Sequence, residues 1–353
     1  MKVFAINSSA RVGGESKTEF ILNHLIKGMK EEGAEVEVVN IFKKKINYCI
    51  GCFTCWTKTP GECIHRDDMS KELFPKYMAS DLCIMATPLF HYTVNANLKT
   101  FIERTLPFAQ PFFEFKNGVT RHPLRQVPPP LVALSVAGFP EYSVFEQLSA
   151  YMNYLYGKSL RAEIYIPGAE NLVQKTDNPL IRSVLEAITQ GGRELIKNKE
   201  ISNKTMKAIN TATIDFKTMA AIGNIFWQTC IDEGVTPKEF HKRKMVPRPD
   251  SLKSYLLLMT EGFNPEKSKG FKGCYQFIFS GAQEGECYFM IDNNEIHCSL
   301  GFAAKPDITI TTPFECWMDI LTKKADGAQL FMAQKYQVEG DINLLIKMGD
   351  LFS

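Results

Sequence analysis

Residues 2–33 read KVFAINSSARVGGESKTEFILNHLIKGMKEEG: a short apolar run, a polar loop and then an amphipathic stretch. KVFAI has the length and composition of a buried strand. Beyond the loop, Ile21, Leu22, Leu25, Ile26 and Met29 fall on one helical face, and Gly33 stops the helix. The pattern then repeats. AEVEVVNI (34–41) reads as a second strand, and a helix near 69–79 leads to a third, DLCIMATP (81–88). The helix ANLKTFIERT (96–105) precedes a fourth strand, PLVALSVAG (130–138), and its helix VFEQLSAYMNYLYG. LRAEIYIPG (160–168) is the fifth strand, and NPLIRSVLEAITQGGRELIKN (178–198) the closing helix. Five apolar strands alternating with helices predict an α/β domain, doubly wound around a five-stranded parallel sheet covered on both faces.

The pattern changes near residue 198. Residues 205–245 read as helical pieces, with Phe216, Ile225, Phe226 and Trp227 expected to pack against a neighbouring domain or subunit. From Arg248-Pro249-Asp250 a second unit begins: a helix (SLKSYLLLM), strand-like runs GCYQFIFSG, GECYFMID, EIHCSLGF and DITITT, a helix from Phe314 and a last one from Asp341. Helices flanking an antiparallel sheet predict a smaller α+β domain. The expected organisation is 1–197 for the first domain, 198–248 for a helical linker and 249–353 for the second domain.

At 353 residues the chain can bury two cores. Its net charge of +2 gives no electrostatic case for a nucleic-acid partner or a membrane surface. MKVFAINSSA is too short an apolar run for a signal peptide, and no stretch approaches the roughly 18 apolar residues of a membrane span. A soluble, cytoplasmic protein is expected. Ten cysteines there point to metal or redox use before a disulfide framework.

Four of the ten fall together, Cys49, Cys52, Cys55 and Cys63, in YCIGCFTCWTKTPGEC with spacing C-x2-C-x2-C-x7-C. Thiols at two-residue gaps in a tight turn can converge on one point, the way a loop grips an iron–sulfur cluster or a soft metal. Plain thiols suit the same loop. A structural zinc site lacks its usual two separated C-x-x-C pairs here. Asp67 and Asp68 read as caps of the following helix, and the remaining six cysteines as small core residues.

The loop after the first strand holds Ser8, Ser9, Arg11, Gly13, Gly14, Ser16, Lys17 and Thr18 and opens a helix. A helix N-terminus with hydroxyls and an arginine is suited to an anion; an ordinary cap and turn uses the same residues. The loop is neither a Walker loop nor G-x-G-x-x-G, because Ser16 precedes Lys17 and the two glycines are adjacent. At the end of the third strand Thr87, Pro88, Leu89, Phe90, His91 and Tyr92 form a partly aromatic wall, where open parallel sheets bind ligands. Ala137, Gly138 and Phe139 end the fourth strand in the same way. On spacing alone Phe90 and Tyr92 read equally as packing residues, and His91 as a solvated side chain.

INSSARVGGESKT, CIGCFTCWTKTPGECIHRDDM and ATPLFHYTVNANLKTFIER, in that order, resemble the NADPH-dependent FMN reductase group of the flavodoxin-like superfamily and its relative, the iron–sulfur flavoprotein family. The resemblance implies FMN, with its phosphate in the loop of Ser9, Arg11, Ser16, Lys17 and Thr18. Its isoalloxazine would lie against Pro88, Leu89, Phe90, His91 and Tyr92, with Ala137 and Gly138 on the other flank. The loop departs from the family in reading GGESKT where relatives have a shorter Gly-Asn-Thr ending. FKGCYQFIFSG, GECYFMI, PDITITTPFECWMDIL and QKYQVEGDINLLIKMGDLF resemble the sterol carrier protein type-two domain, which implies an apolar tunnel for a lipid or acyl ligand.

The expectation is therefore an FMN-dependent oxidoreductase. Reducing equivalents from NAD(P)H pass through FMN to a small-molecule or protein electron acceptor, and no acid–base side chain is required. Two alternatives stand beside it: an electron-transfer protein with a 4Fe-4S cluster on Cys49, Cys52, Cys55 and Cys63, and a lipid-binding protein whose flavin domain is secondary. By analogy with the superfamily, a homo-oligomer is expected.

Overall fold

Strand β1 (Lys2–Asn7) is buried from Val3 onward, and it is central to a sheet of order β2-β1-β3-β6-β7 in which every pairing is parallel. The computed structural model describes residues 1–353 except 12, 13, 117, 175, 177 and 353. The chain divides into two units, Met1–Asp215 and Phe216–Ser353.

In the first unit the order of elements is β1, α1 (Lys17–Glu31), β2 (Glu35–Asn40), a helical stretch Met69–Leu73 running into α2 (Phe74–Met78), β3 (Leu82–Pro88) and α3 (Ala96–Glu103). A small hairpin, β4 (Glu114–Lys116) and β5 (Val119–Arg121), is followed by β6 (Leu131–Val136) and α4 (Glu146–Tyr156). β7 (Leu160–Ile166), α5 (Ala169–Gln174), α6 (Pro179–Asn198) and α7 (Asn203–Ile209) complete it. β6 is buried along its whole length and β3 up to Thr87, which is why both read as uninterrupted apolar runs. β2 is one of the two edge strands and alternates charged with apolar residues.

Alternate side chains serve two cores. Val3, Ala5, Ile84 and Leu134 meet Leu25 of α1 and Ile188 of α6 on one face. Phe4, Ile6, Cys83 and Met85 meet Tyr77, Leu98, Phe101 and Met152 on the other. From β1 the chain first runs to β2 and then crosses to β3 on the opposite side of β1. The carboxyl ends of β1 and β3 therefore flank the point where the strand order reverses, the place an open α/β sheet leaves for a ligand.

The stretch expected to be a linker, 198–248, is shared between the units. Ile209 of α7 is buried in the first unit's core. α8 (Phe216–Asp232) and α9 (Pro237–Lys242) belong to the second. There Phe226 packs on Phe240, with ring centroids 4.9 Å apart, and Ile225 is buried, while Phe216 and Trp227 are exposed.

The second unit continues with α10 (Leu252–Gly262), β8 (Gly273–Ser280), β9 (Gly285–Asp292), β10 (Glu295–Leu300), β11 (Ile308–Pro313), α11 (Phe314–Leu321), α12 (Gly327–Met332), β12 (Gln337–Gly340) and α13 (Ile342–Leu351). Its sheet runs β10-β9-β8-β11-β12. The sheet is mixed, not antiparallel as expected: β8, β9 and β10 form a meander, but β11 lies parallel to β8. After β10 the chain recrosses to the far side of β8 and enters β11 in the same direction. The buried Gln276 side chain holds that crossover, donating to the Gly301 carbonyl and accepting from Ala303 N–H. Tyr255, Tyr275, Phe277, Phe289 and Trp317 fill the core, with Trp317 Nε1 donating to Tyr255 Oη at 3.1 Å.

Candidate functional site

Three loops meet beyond the carboxyl ends of β1, β3 and β6. Asn95 joins the first two: its side chain caps α3 by accepting from Leu98 N–H, and it donates to the Ser8 carbonyl at 2.6 Å. Leu89 N–H donates to the Val136 carbonyl at 2.9 Å and joins the second to the third.

In the first loop Ser16 is the N-cap of α1, its Oγ accepting from Glu19 N–H at 3.1 Å. Ser9 is buried, and its Oγ accepts from Arg11 N–H. Both hydroxyls keep a proton to donate. Thr18 is buried in the first turn of α1, where backbone N–H groups have no partner within the helix. Arg11 is exposed. Gly13, also read as part of this loop, lies outside the described residues. Lys17 does not stand free. It pairs with Glu170 of α5 at 2.8 Å.

Pro88, Leu89, Phe90, His91 and Tyr92 form a tight reversal closed by mutual backbone hydrogen bonds between Phe90 and Thr93. His91 and Tyr92 both have left-handed backbone, with φ of 45° and 63°. Non-glycine residues held there store of order 1–3 kcal/mol each, and such strain collects at ligand sites. The turn leaves Phe90 and Tyr92 about half exposed, so they are not core packing residues. Tyr92 stacks on Phe139 of the third loop at 6.3 Å, beside Ala137 and Gly138. A Cβ on Gly138 would stand 3.5 Å from Glu170 Oε2, a buried oxygen with no hydrogen-bond partner in the structure. These loops therefore suit FMN on the structure's own terms. A helix start of the kind that suits anions, an aromatic ledge and a buried acceptor without a partner lie on these loops and on α5 beside them.

The four cysteines also converge. Cys49, Cys52, Cys55 and Cys63 line one pocket with His65 and Arg104, over Leu106 and Pro107. Cys55 is buried and Cys52 exposed. Burial, followed by the neighbouring Cys63, pushes the Cys55 thiol up, whereas hydrogen bonds from Thr54 pull Cys52 down. Among the described residues no three metal-ligating side chains close around a single ion's position; the thiols ring an opening. Two nitrogens of residues that line it, Arg104 Nε and His65 Nε2, are buried without a partner. Four thiols and two free polar nitrogens match what a cluster with sulfur acceptors would take.

Arg104 itself forms a buried ion pair with Asp67, at 2.8 Å. Asp67 does receive Ser70 N–H as a helix-capping residue would, but its main partner is this arginine. Asp68 instead accepts from Lys45 N–H. Helix α3 links the two sites. Asn95 at its start touches the first loop and Arg104 at its end lines the cysteine pocket, on the order of 13 Å apart at 1.5 Å per residue. Sequence reading missed Asn95, Arg104, His65 and Glu170, since only contacts between distant segments give them meaning.

The strand order with the ligand loops at its switch point defines a flavodoxin-like α/β protein. Residues 1–167 match the family model of NADPH-dependent FMN reductase, and residues 256–353 that of the SCP-2 sterol transfer family. The chain is 43% identical over 119 residues to an iron-sulfur flavoprotein of Archaeoglobus fulgidus, covering 33% of this chain and 52% of that one. It is 40% identical over 104 residues to one of Methanocaldococcus jannaschii, covering 30% and 50%. The chain thus spans about half the length of these curated relatives. An FMN-dependent NADH-azoreductase of Bacillus anthracis, solved in complex with FMN, superposes with a TM-score of 0.43 at 13% identity, over 55% of this chain and 99% of the other. No helix among the described residues is long and apolar enough to cross a membrane.

Proposed function

We propose that the protein is an FMN-dependent oxidoreductase that takes reducing equivalents from NAD(P)H and delivers them to a small-molecule or protein acceptor, with a 4Fe-4S cluster on Cys49, Cys52, Cys55 and Cys63 as its electron outlet. The observation that carries this reading is the convergence of all four cysteines on one pocket, at the far end of the helix whose N-cap belongs to the flavin-type loops. Bound FMN would supply hydride acceptance and one-electron release. The start of α1, with Ser9, Ser16, Thr18 and Arg11, would hold the phosphate. The turn at Phe90–Tyr92 and Phe139 would orient the ring, and Lys17 keeps the Glu170 carboxylate compensated beside it. Cys49, Cys52, Cys55 and Cys63 would each ligate one iron.

The test is the anaerobically purified protein. Flavin bands from released cofactor, with iron and sulfide near four of each per chain, are expected. A colourless protein that cannot be loaded with FMN would remove the enzyme reading. Flavin without iron after reconstitution would leave a flavin reductase with bare thiols. We propose further that the second unit takes an apolar ligand, as its family match supports. Mass spectrometry of extracts from the purified protein should find lipid, and neither lipid nor binding of a fluorescent fatty acid would set that aside.

A further inference from the structure

All four cysteines lie between Asn47 and Asp67, and the two ends of that segment are fastened at one place. Asn47 N–H donates to Asp67 Oδ2 at 2.8 Å, and the Asn47 carbonyl accepts from Arg104 Nη1 at 2.6 Å. Arg104 Nη1 also reaches Asp67 Oδ2, and Nη2 reaches Asp67 Oδ1 at 3.1 Å and Ser70 Oγ at 3.2 Å. A guanidinium has five N–H donors. Four are spent on this clasp. The fifth, on Nε, is buried with no acceptor, in an arginine that is only 2% exposed. Arg104 lines the cysteine pocket, and Asp67 is not among the residues lining it. The pair is neutral as a whole, but only its cationic member lines the pocket with the four thiols, and Cys63 interacts with the guanidinium. Glu103, the other charged residue lining the pocket, is paired with Lys99.

We propose that Arg104 is a positioning residue that sets the electrostatics of the cysteine pocket: its unused Nε–H donates to the Cys63 sulfur and raises the reduction potential of the cluster held there. The proposal rests on the cluster reading above. Reduction adds one electron, and so one negative charge, to a cluster and its thiolates, and no bond to Arg104 forms or breaks. A donor and a positive pole directed at a sulfur stabilise the reduced form more than the oxidised one. A purely structural arginine would hold the loop and leave the potential alone.

The experiment is a dithionite redox titration of the reconstituted full-length protein, followed by electron paramagnetic resonance, with iron and sulfide assayed on the same samples. The variants are Arg104→Lys, which keeps a cation for Asp67 but loses the Nε–H, and Arg104→Gln combined with Asp67→Asn, which leaves no unpaired buried charge. In the double variant the reduction equilibrium should fall about tenfold, a shift of ~59 mV for one electron. Arg104→Lys should shift it less, in the same direction. Variants with full iron content and an equilibrium within twofold of the parent overturn the proposal. So does a partial loss of iron in which the remaining clusters titrate at the parental potential, since Arg104 would then only hold the loop. A parent protein that takes up no iron and sulfide removes the cluster reading and this proposal with it, an outcome distinct from the other two.

Discussion

Asp67 has the Arg104 guanidinium on one side, the N–H groups of Asn47 and Ser70 on the other, and no solvent around it. Burial alone would push its carboxyl up. The hydrogen bonds from Arg104 and the two backbone donors outweigh burial and bring it from 3.8 down to about 2. A carboxyl depressed in the folded state stabilises it above the unfolded value and loses that contribution as pH falls through the folded one. About 2 kcal/mol of stability should therefore disappear between about pH 4 and pH 2, read by urea unfolding across that range. Asp67→Asn should flatten this part of the profile. It should also cost about 3–5 kcal/mol at neutral pH by stranding Arg104. The cysteine run could be read from sequence because its information is local, four thiols within one loop. Arg104 could not, since its partner Asp67 is 37 residues away, and the Asn95 contact with Ser8 spans 87.

At the scale of elements, α1 and α6 cross with their backbones touching. A Cβ on Gly28 would stand 1.8 Å from the Thr189 carbonyl oxygen, and one on Gly192 would stand 2.1 Å from that of Leu25. Neither neighbour is a side chain that can turn aside. Gly28→Ala should thus destabilise the protein by about 3 kcal/mol through forced separation of the helices, seen as a lower Tm. Gly223→Ala, in α8 with open space around it, should instead stabilise by up to about 1 kcal/mol through helix propensity. The three inner parallel strands, β1, β3 and β6, were legible because strands covered on both faces must be apolar almost throughout. The β4–β5 hairpin was not, since its strands are three residues long and β5 is wholly exposed. Nor was the parallel placement of β11, because the residues of a strand do not record which neighbour it will join.

Across the molecule, exposed apolar side chains gather where the cysteine loop meets the β4–β5 hairpin. Rings run from Phe53 to Trp56, His122 and Phe113 at centroid spacings of 5.1, 4.8 and 5.0 Å. Phe113 is 76% exposed and Phe115 78%. A patch of this kind is expected to bury itself against a second copy of the chain. Light scattering should report more than one chain per particle, and Phe113→Glu should shift the population toward monomer; a monomeric parent would refute the expectation. The likeness of the two ends of the chain to two families was readable from motifs, but the boundary at residue 215 was not, because α7 is claimed by the first core only through contacts such as that of Ile209. Helix α3 has a last consequence, one of phase. Its N-cap is fixed to the Ser8 carbonyl and its far end to the Asn47 carbonyl. One residue inserted between them would turn that end by about 100° and lengthen the helix by about 1.5 Å. Arg104 would swing off the clasp while Asn95 stayed seated, so the length of α3 is fixed to the residue by two hydrogen bonds at its opposite ends.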